Sequence, residues 1–61
     1  MNQVERQGRI LNHISTHETI SLEEAVSIVK ASPATVRRDF TKLVAQNKAE
    51  RFHGGVRRLH G

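Results

Sequence analysis

The chain has 61 residues with a formal net charge of +4, no cysteine and 36% hydrophobic residues. At this length folding buries only about 60% of the unfolded surface, which supports one domain with one compact core; without cysteine there is neither a disulfide scaffold nor a thiolate metal site, and the setting expected is intracellular. Glu5, Arg6 and Arg9 break up the N-terminal region, which excludes a signal peptide and a membrane span and gives the expectation of a soluble, cytoplasmic domain that contacts no membrane.

Val4, Gln7, Ile10, Leu11 and Ile14 recur at helical spacing and predict a first helix over about residues 3–16, with Gln7 polar but on the same stripe. Thr19 and Ile20 form a short extended link. Ser21-Leu22-Glu23-Glu24 then reads as a capping box, in which the serine hydroxyl accepts from the third helical amide and Glu24 reaches back. The second helix runs from Leu22 to about Lys30, with Leu22, Ala25, Val26 and Val29 inward and Ile28 on the margin. Ser32 is a good N-cap and Pro33 suits the first helical position, where its missing amide has no partner to lose. A third helix therefore extends to about Gln46, with Val36, Phe40, Leu43 and Val44 on one face and Asn47 as a left-handed stop. After it the period changes. Residues 49–52, the turn His53-Gly54-Gly55 and residues 56–59 predict strand, tight turn and strand, with the glycines supplying positive φ. Three helices with so short a turn between the last two, followed by a hairpin, make a winged helix-turn-helix, mainly α with a small β-hairpin.

The charge is unevenly spread. Residues 1–29 carry Arg6 and Arg9 against four glutamates, a sum of −2, and the remainder carries eight cations against Asp39 and Glu50, a sum of +6. This asymmetry suits a nucleic-acid face. On a wheel of the third helix, the surface opposite Val36 shows Ala34, Arg38, Thr41, Lys42 and Ala45, with Thr35 at its edge. Short side chains let a helix approach base edges, and long cationic ones reach guanine or phosphate. Arg38 is the best-centred residue for a base contact. Ala34 and Thr35 could meet a thymine methyl or a phosphate, Ser32 could offer its amide or hydroxyl to the backbone, and Arg37 on the flank should meet phosphate or an internal acid. The wing, Arg51 through Arg58 and including His53, Gly54 and Arg57, should lie along the backbone or the neighbouring minor groove, with His53 either touching phosphate or bracing the turn. Asp39 falls on the flank opposite Arg37. A carboxylate near phosphates needs a cation, and Lys42 or Arg51 is expected to supply it, locking the wing to the third helix.

The run ISLEEAVSIVKASPATVRRDFTKLVAQNKAERFHGGV closely resembles the DNA-binding domain of the DeoR family of bacterial transcription regulators. The similarity rests on Arg9-Ile10-Leu11, on Ile20-Ser21, on Ser32, Thr35, Val36, Arg37, Arg38, Asp39 and Phe40, and on Arg51, His53, Gly54 and Gly55. Arg-Arg-Asp or His-Gly-Gly alone would be weak; the combined spacing is specific. The family usually has glycine where Lys30 and Asn47 stand, and a large-then-small pair where this chain has Ala25-Val26. A left-handed Lys30 costs about 1 kcal/mol. The resemblance implies sequence-specific binding to a double-stranded DNA operator by a repressor of a carbohydrate-metabolism operon. It also implies a longer protein, whose C-terminal domain binds a sugar phosphate and forms a homo-oligomer and of which residues 1–61 are the N-terminal portion.

Other chemistries are weaker. His13 and His17 are four apart, a chelating spacing, but no acidic or cysteine partner completes a metal site. A chain this small builds neither a nucleophile elbow nor a large pocket, so no enzyme and no cofactor are expected. The alternative reading is a winged helix that binds protein or RNA. Readers of single-stranded RNA present aromatic platforms, and here there are only Phe40, buried by periodicity, and Phe52.

Overall fold

A computed structural model describes residues 1–59, so the domain expected over residues 1–61 is seen here without its last two positions. Asn2 opens α1 (Gln3–His17): its backbone is extended and its side-chain oxygen accepts from the amide of Glu5 at 2.9 Å. The helix stops at Glu18, which turns the chain with φ 72° while its amide still donates to the carbonyl of Ile14. Strand β1 (Thr19–Ser21) follows at once and runs into α2 (Leu22–Val29). The capping box is complete, the Ser21 hydroxyl accepting from the Glu24 amide at 3.0 Å and Glu24 Oε1 accepting from the Ser21 amide at 2.9 Å.

Lys30 ends α2 in the left-handed conformation, φ 54° and ψ 47°, its amide bonded to the Val26 carbonyl. The end of α2 thus has the geometry that a glycine would provide, reached with a side chain in place. Ser32 caps α3 (Pro33–Ala45), accepting from the Thr35 amide at 3.2 Å. At the far end Asn47 takes φ 56°, and the amides of Lys48 and Asn47 return to the carbonyls of Leu43 and Val44. These paired bonds are a Schellman closure, which satisfies carbonyls that the last turn would otherwise leave open.

The hairpin consists of β2 (Glu50–Phe52) and β3 (Gly55–Arg57), joined by the two-residue turn His53-Gly54. It is not alone. The link at residues 19–21 is a strand in its own right, and the sheet has order β1-β3-β2 with both pairings antiparallel. The two glycines of the turn do different things. Only Gly54 has positive φ, at 81°, following a residue of negative φ as in a type II turn. Gly55 lies opposite Ser21, and a side chain there would run into the backbone of Ile20. The amide of Leu22 donates to the Gly54 carbonyl at 2.9 Å, so the wing also holds the first turn of α2.

The core gathers Ile10 and Ile14 from α1, Ile20 from β1, Ala25 and Val29 from α2, Val36, Phe40 and Leu43 from α3, and Ala49 and Val56 from the wing. Leu11, Leu22, Val26, Ile28 and Val44 pack around it, partly buried. Val4, expected on the buried stripe, is 79% exposed. The face of α1 that carries Ile10 and Ile14 continues toward the N-terminus through Gln3 and Arg6, since residues three or four apart share a face. Leu59, expected in the last strand, lies beyond it.

Two outcomes test this account. Gly55→Ala should lower stability by about 1–3 kcal/mol through overpacking against β1, whereas Gly8→Ala, with open space around the site, should raise it by about 0.5–1 kcal/mol; denaturant titration of both variants checks the contrast. The Ser21 amide, opposed by burial, holds the Glu24 carboxyl below its ordinary pKa. The capping box therefore contributes fully above the ordinary carboxylate range and fades as pH falls through the lowered value. Thermal melts from pH 7 down to 3 should show a smaller loss of stability in Glu24→Gln than in the parent.

Candidate nucleic-acid interface

Helix α3 is set in place from three sides. Its N-terminus is fixed by Ser32 and Pro33, its inner face by Val36, Phe40 and Leu43, and its C-terminus by the Asn47 closure. At 13 residues it is about 20 Å long, enough to lie across a major groove about 12 Å wide. Ala34, Arg37, Arg38, Thr41 and Lys42 are exposed and Thr35 is half-buried.

Asp39 does not join them, and the expected link to Lys42 or Arg51 is not made. Its side chain is 2% exposed, and its carboxylate is gripped by Arg6 of α1. Arg6 Nε donates to Oδ2 at 2.7 Å and Nη2 to Oδ1 at 3.3 Å, a bidentate pair across 33 residues. The hydrogen bond to Asp39 raises the Arg6 pKa further above its ordinary value; burial opposes the shift and the Asp39 charge reinforces it. Lys42 turns the same way, donating from Nζ to Gln3 Oε1 at 3.2 Å. The inward polar positions of α1, Gln3 and Arg6, thus meet the Asp39–Lys42 edge of α3. The sequence carried part of the signal: counted at 100° per residue, Asp39 stands about 60° from Val36 and about 40° past Leu43, at the edge of the buried face rather than opposite it. What periodicity could not supply was the partner.

The tie between wing and α3 exists, but through a residue that was not among the predicted contacts. Arg51 Nη2 donates to Thr41 Oγ1 at 3.4 Å, and that hydroxyl donates in turn to the Arg37 carbonyl at 3.0 Å. Of the cations expected on the wing, Arg51 has no acidic partner among the described residues, whereas Arg57 and Arg58 have one each. Arg57 Nε donates to Glu50 at 2.9 Å, and its guanidinium lies 5.9 Å from the centre of the Phe52 ring. Arg58 reaches back to α1, donating to the Ser15 carbonyl at 3.0 Å and to Glu18 at 3.4 Å. These are surface pairs that a competing phosphate can displace, each contributing well under about 1 kcal/mol. Ser32 spends its hydroxyl proton on Thr35 Oγ1 at 3.0 Å. His53 and Gly54 are exposed at the tip of the wing.

Several of the cations without an acid partner stand on α3 and the adjacent wing strand. Arg37 and Arg38 on α3 and Arg51 on β2 have no ion pair among the described residues, and Lys42 is held only by a neutral amide. This is an acceptor-seeking surface with short side chains between its charges, the composition that meets a duplex. His13 and His17 stack ring on ring, 4.3 Å between centroids, and among the described residues no three metal-ligating side chains come together. No described helix is long and apolar enough to cross a membrane.

The model of the DeoR-like helix-turn-helix domain matches residues 6–61. The chain belongs to that family. It is 38% identical over 56 residues to the glycerol-3-phosphate regulon repressor of Escherichia coli, covering 92% of this chain and 22% of that protein. To the lactose phosphotransferase system repressor of Streptococcus mutans it is 40% identical over 57 residues, covering 93% and 23%. A third relative, the transcriptional regulator IolR of Bacillus subtilis, is 41% identical over 44 residues, covering 72% and 18%. The chain thus spans about a fifth of the length of these relatives. No solved structure matches it. The three helices and antiparallel wing fit the winged form of the DeoR-like domain, and a single residue pair, Arg6 with Asp39, turns the acid of its Arg-Arg-Asp segment inward.

Asp39→Asn should lower the melting temperature by several degrees, because Arg6 keeps its charge but loses its counter-charge and one of its two acceptor oxygens. Replacing both partners by apolar residues, Arg6→Met with Asp39→Leu, should recover most of that loss. Melts of Arg6→Met, Asp39→Leu and the double variant, followed by circular dichroism, check it; additive losses would contradict the pairing.

Proposed function

We propose that this chain is the DNA-reading part of a bacterial transcription repressor, binding double-stranded DNA at particular sequences by laying α3 in the major groove. The observation that carries the reading is the burial of Asp39 against Arg6. It takes the one carboxylate of α3 out of the field of the duplex and leaves Arg37 and Arg38 outward, with no acid opposing them. In this reading Arg38 contacts base edges, with Ala34 and Thr35 close to the groove floor. Arg37, Lys42, Arg51 and the Ser32 amide hold phosphates, and His53 and Gly54 carry the wing tip to the flanking backbone. Arg57 and Arg58 join after exchanging their acid partners for phosphate. Binding rather than catalysis is the activity.

The names of the relatives extend the proposal to the whole protein. Two are repressors of a glycerol-3-phosphate regulon and of a lactose phosphotransferase system, which supports control of a carbohydrate operon by a cytoplasmic regulator. The remaining four fifths of such a protein would bind a sugar phosphate and form a homo-oligomer. Two linked domains on two half-sites then gain through effective concentration, so the isolated domain binds more weakly.

Selection of duplexes from a random library, followed by gel-shift titration at several salt concentrations, tests the reading. Affinity should fall steeply with salt as counterions are released. Arg38→Ala should cost about 1–3 kcal/mol on the selected sequence and much less on unrelated duplexes. Enrichment of no sequence, or preference for single-stranded RNA, would overturn it.

A further inference from the structure

Between α3 and the wing lies an open groove of 280 Å³. Arg37 forms its wall on the helix side and Arg51 on the strand side; Leu22, Phe40 and Phe52 are its apolar lining, and Gly54 and Gly55 close the wing end without side chains. Neither arginine has an acid partner among the described residues. A Cβ at Gly54 would meet nothing within 4 Å, so the wing end of the groove is clear for the approach of another backbone.

We propose that this groove binds one backbone phosphate of duplex DNA together with its deoxyribose, the phosphate held jointly by Arg37 and Arg51, with Thr41 as the positioning residue for Arg51. The inference rests on the DNA reading above and adds which groups share a phosphate. Thr41 lies one helical turn beyond Arg37 and accepts from Arg51 while donating to the Arg37 carbonyl. The guanidinium of Arg51 is thereby held against the turn that carries Arg37. Two uncompensated guanidiniums on facing walls form a site for one anion, with the forked geometry that suits phosphate oxygens. The apolar lining suits the hydrocarbon face of a sugar ring. Because the groove is open rather than enclosed, a continuous strand can pass through it. The contact with Thr41 uses Nη2 of Arg51 alone, so the remaining N–H groups of the guanidinium can meet the phosphate while Thr41 keeps its hold.

The test uses a duplex selected as above and copies of it in which one phosphate at a time is replaced by a neutral methylphosphonate, with binding read by fluorescence anisotropy. Melting curves first establish that the variants fold, as expected for substitutions at exposed positions. On the unmodified duplex Arg37→Ala and Arg51→Ala should each weaken binding roughly tenfold, and the double variant should lose little more than either, well short of the product. At one methylphosphonate position the parent and both single variants should bind within about twofold of each other. Thr41→Val should weaken the parent and leave Arg51→Ala unchanged. Arginine effects that multiply, vanish at two different positions or are absent overturn the shared phosphate while leaving DNA binding in place. An equal Thr41→Val loss in both backgrounds removes the positioning role. If no duplex is selected, the DNA reading falls and this inference with it.

Discussion

The bidentate contact between Arg6 and Asp39 is the constraint on which the outer surface depends. The buried stripe of Val36, Phe40 and Leu43 sets the rotation of α3 coarsely, since a large roll would expose it. Two parallel N–H···O bonds to one carboxylate are directional in two axes. With Arg6 on the second turn of α1 and Asp39 in the middle of α3, the pair fixes the rotation of α3 about its own axis. What α3 then shows outward, two arginines and a set of short side chains, follows from that rotation. Rolling α3 by one residue position would put Arg38 where Asp39 now meets α1 and carry Asp39 into the place of Phe40 in the core.

A second set of contacts makes the wing part of the same body. β3 is the central strand, held by β1 on one side and β2 on the other. The close approach of β1 and β3 requires the absence of a side chain at Gly55. The turn carbonyl of Gly54 then serves the first amide of α2, one of the groups that a helix leaves open at its N-terminus. The result is that the short segment between α1 and α2 contributes to both the sheet and the helix start.

Features decided within a few residues were legible in the sequence, and features decided across the chain were not. Ser21 with Glu24, Ser32 with Pro33, and the change of period after Asn47 gave the helix boundaries and the wing, since a cap or a turn is built from neighbours. The candidate surface was legible as a face: Arg37, Arg38 and Lys42 are exposed on α3 where the wheel put them, and Arg51 is exposed on β2. Its wiring was not. Arg6 resembled any surface cation of an amphipathic helix, and its acceptor is 33 residues away. β1 is only three residues long, too short for alternation to be visible, and it exists because β3 pairs with it. Thr41 read as a small outward residue, and its bond to Arg51 depends on how the hairpin leans over α3. Lys30 shows the converse: a residue disfavoured in the left-handed region occupies it because α2 and α3 must meet at that turn.

The Schellman closure at Asn47 has a mechanical consequence. Only a few residues separate the last turn of α3 from β2, Ala49 among them is buried in the core, and Thr41 braces Arg51 farther up. α3 and the wing are therefore spaced like the jaws of a caliper set to one width. On the proposed reading, a duplex of unsuitable local width or stiffness must deform to fit, because the jaws do not adjust. Base steps that no side chain touches would then weigh on affinity through the elastic energy of the DNA itself.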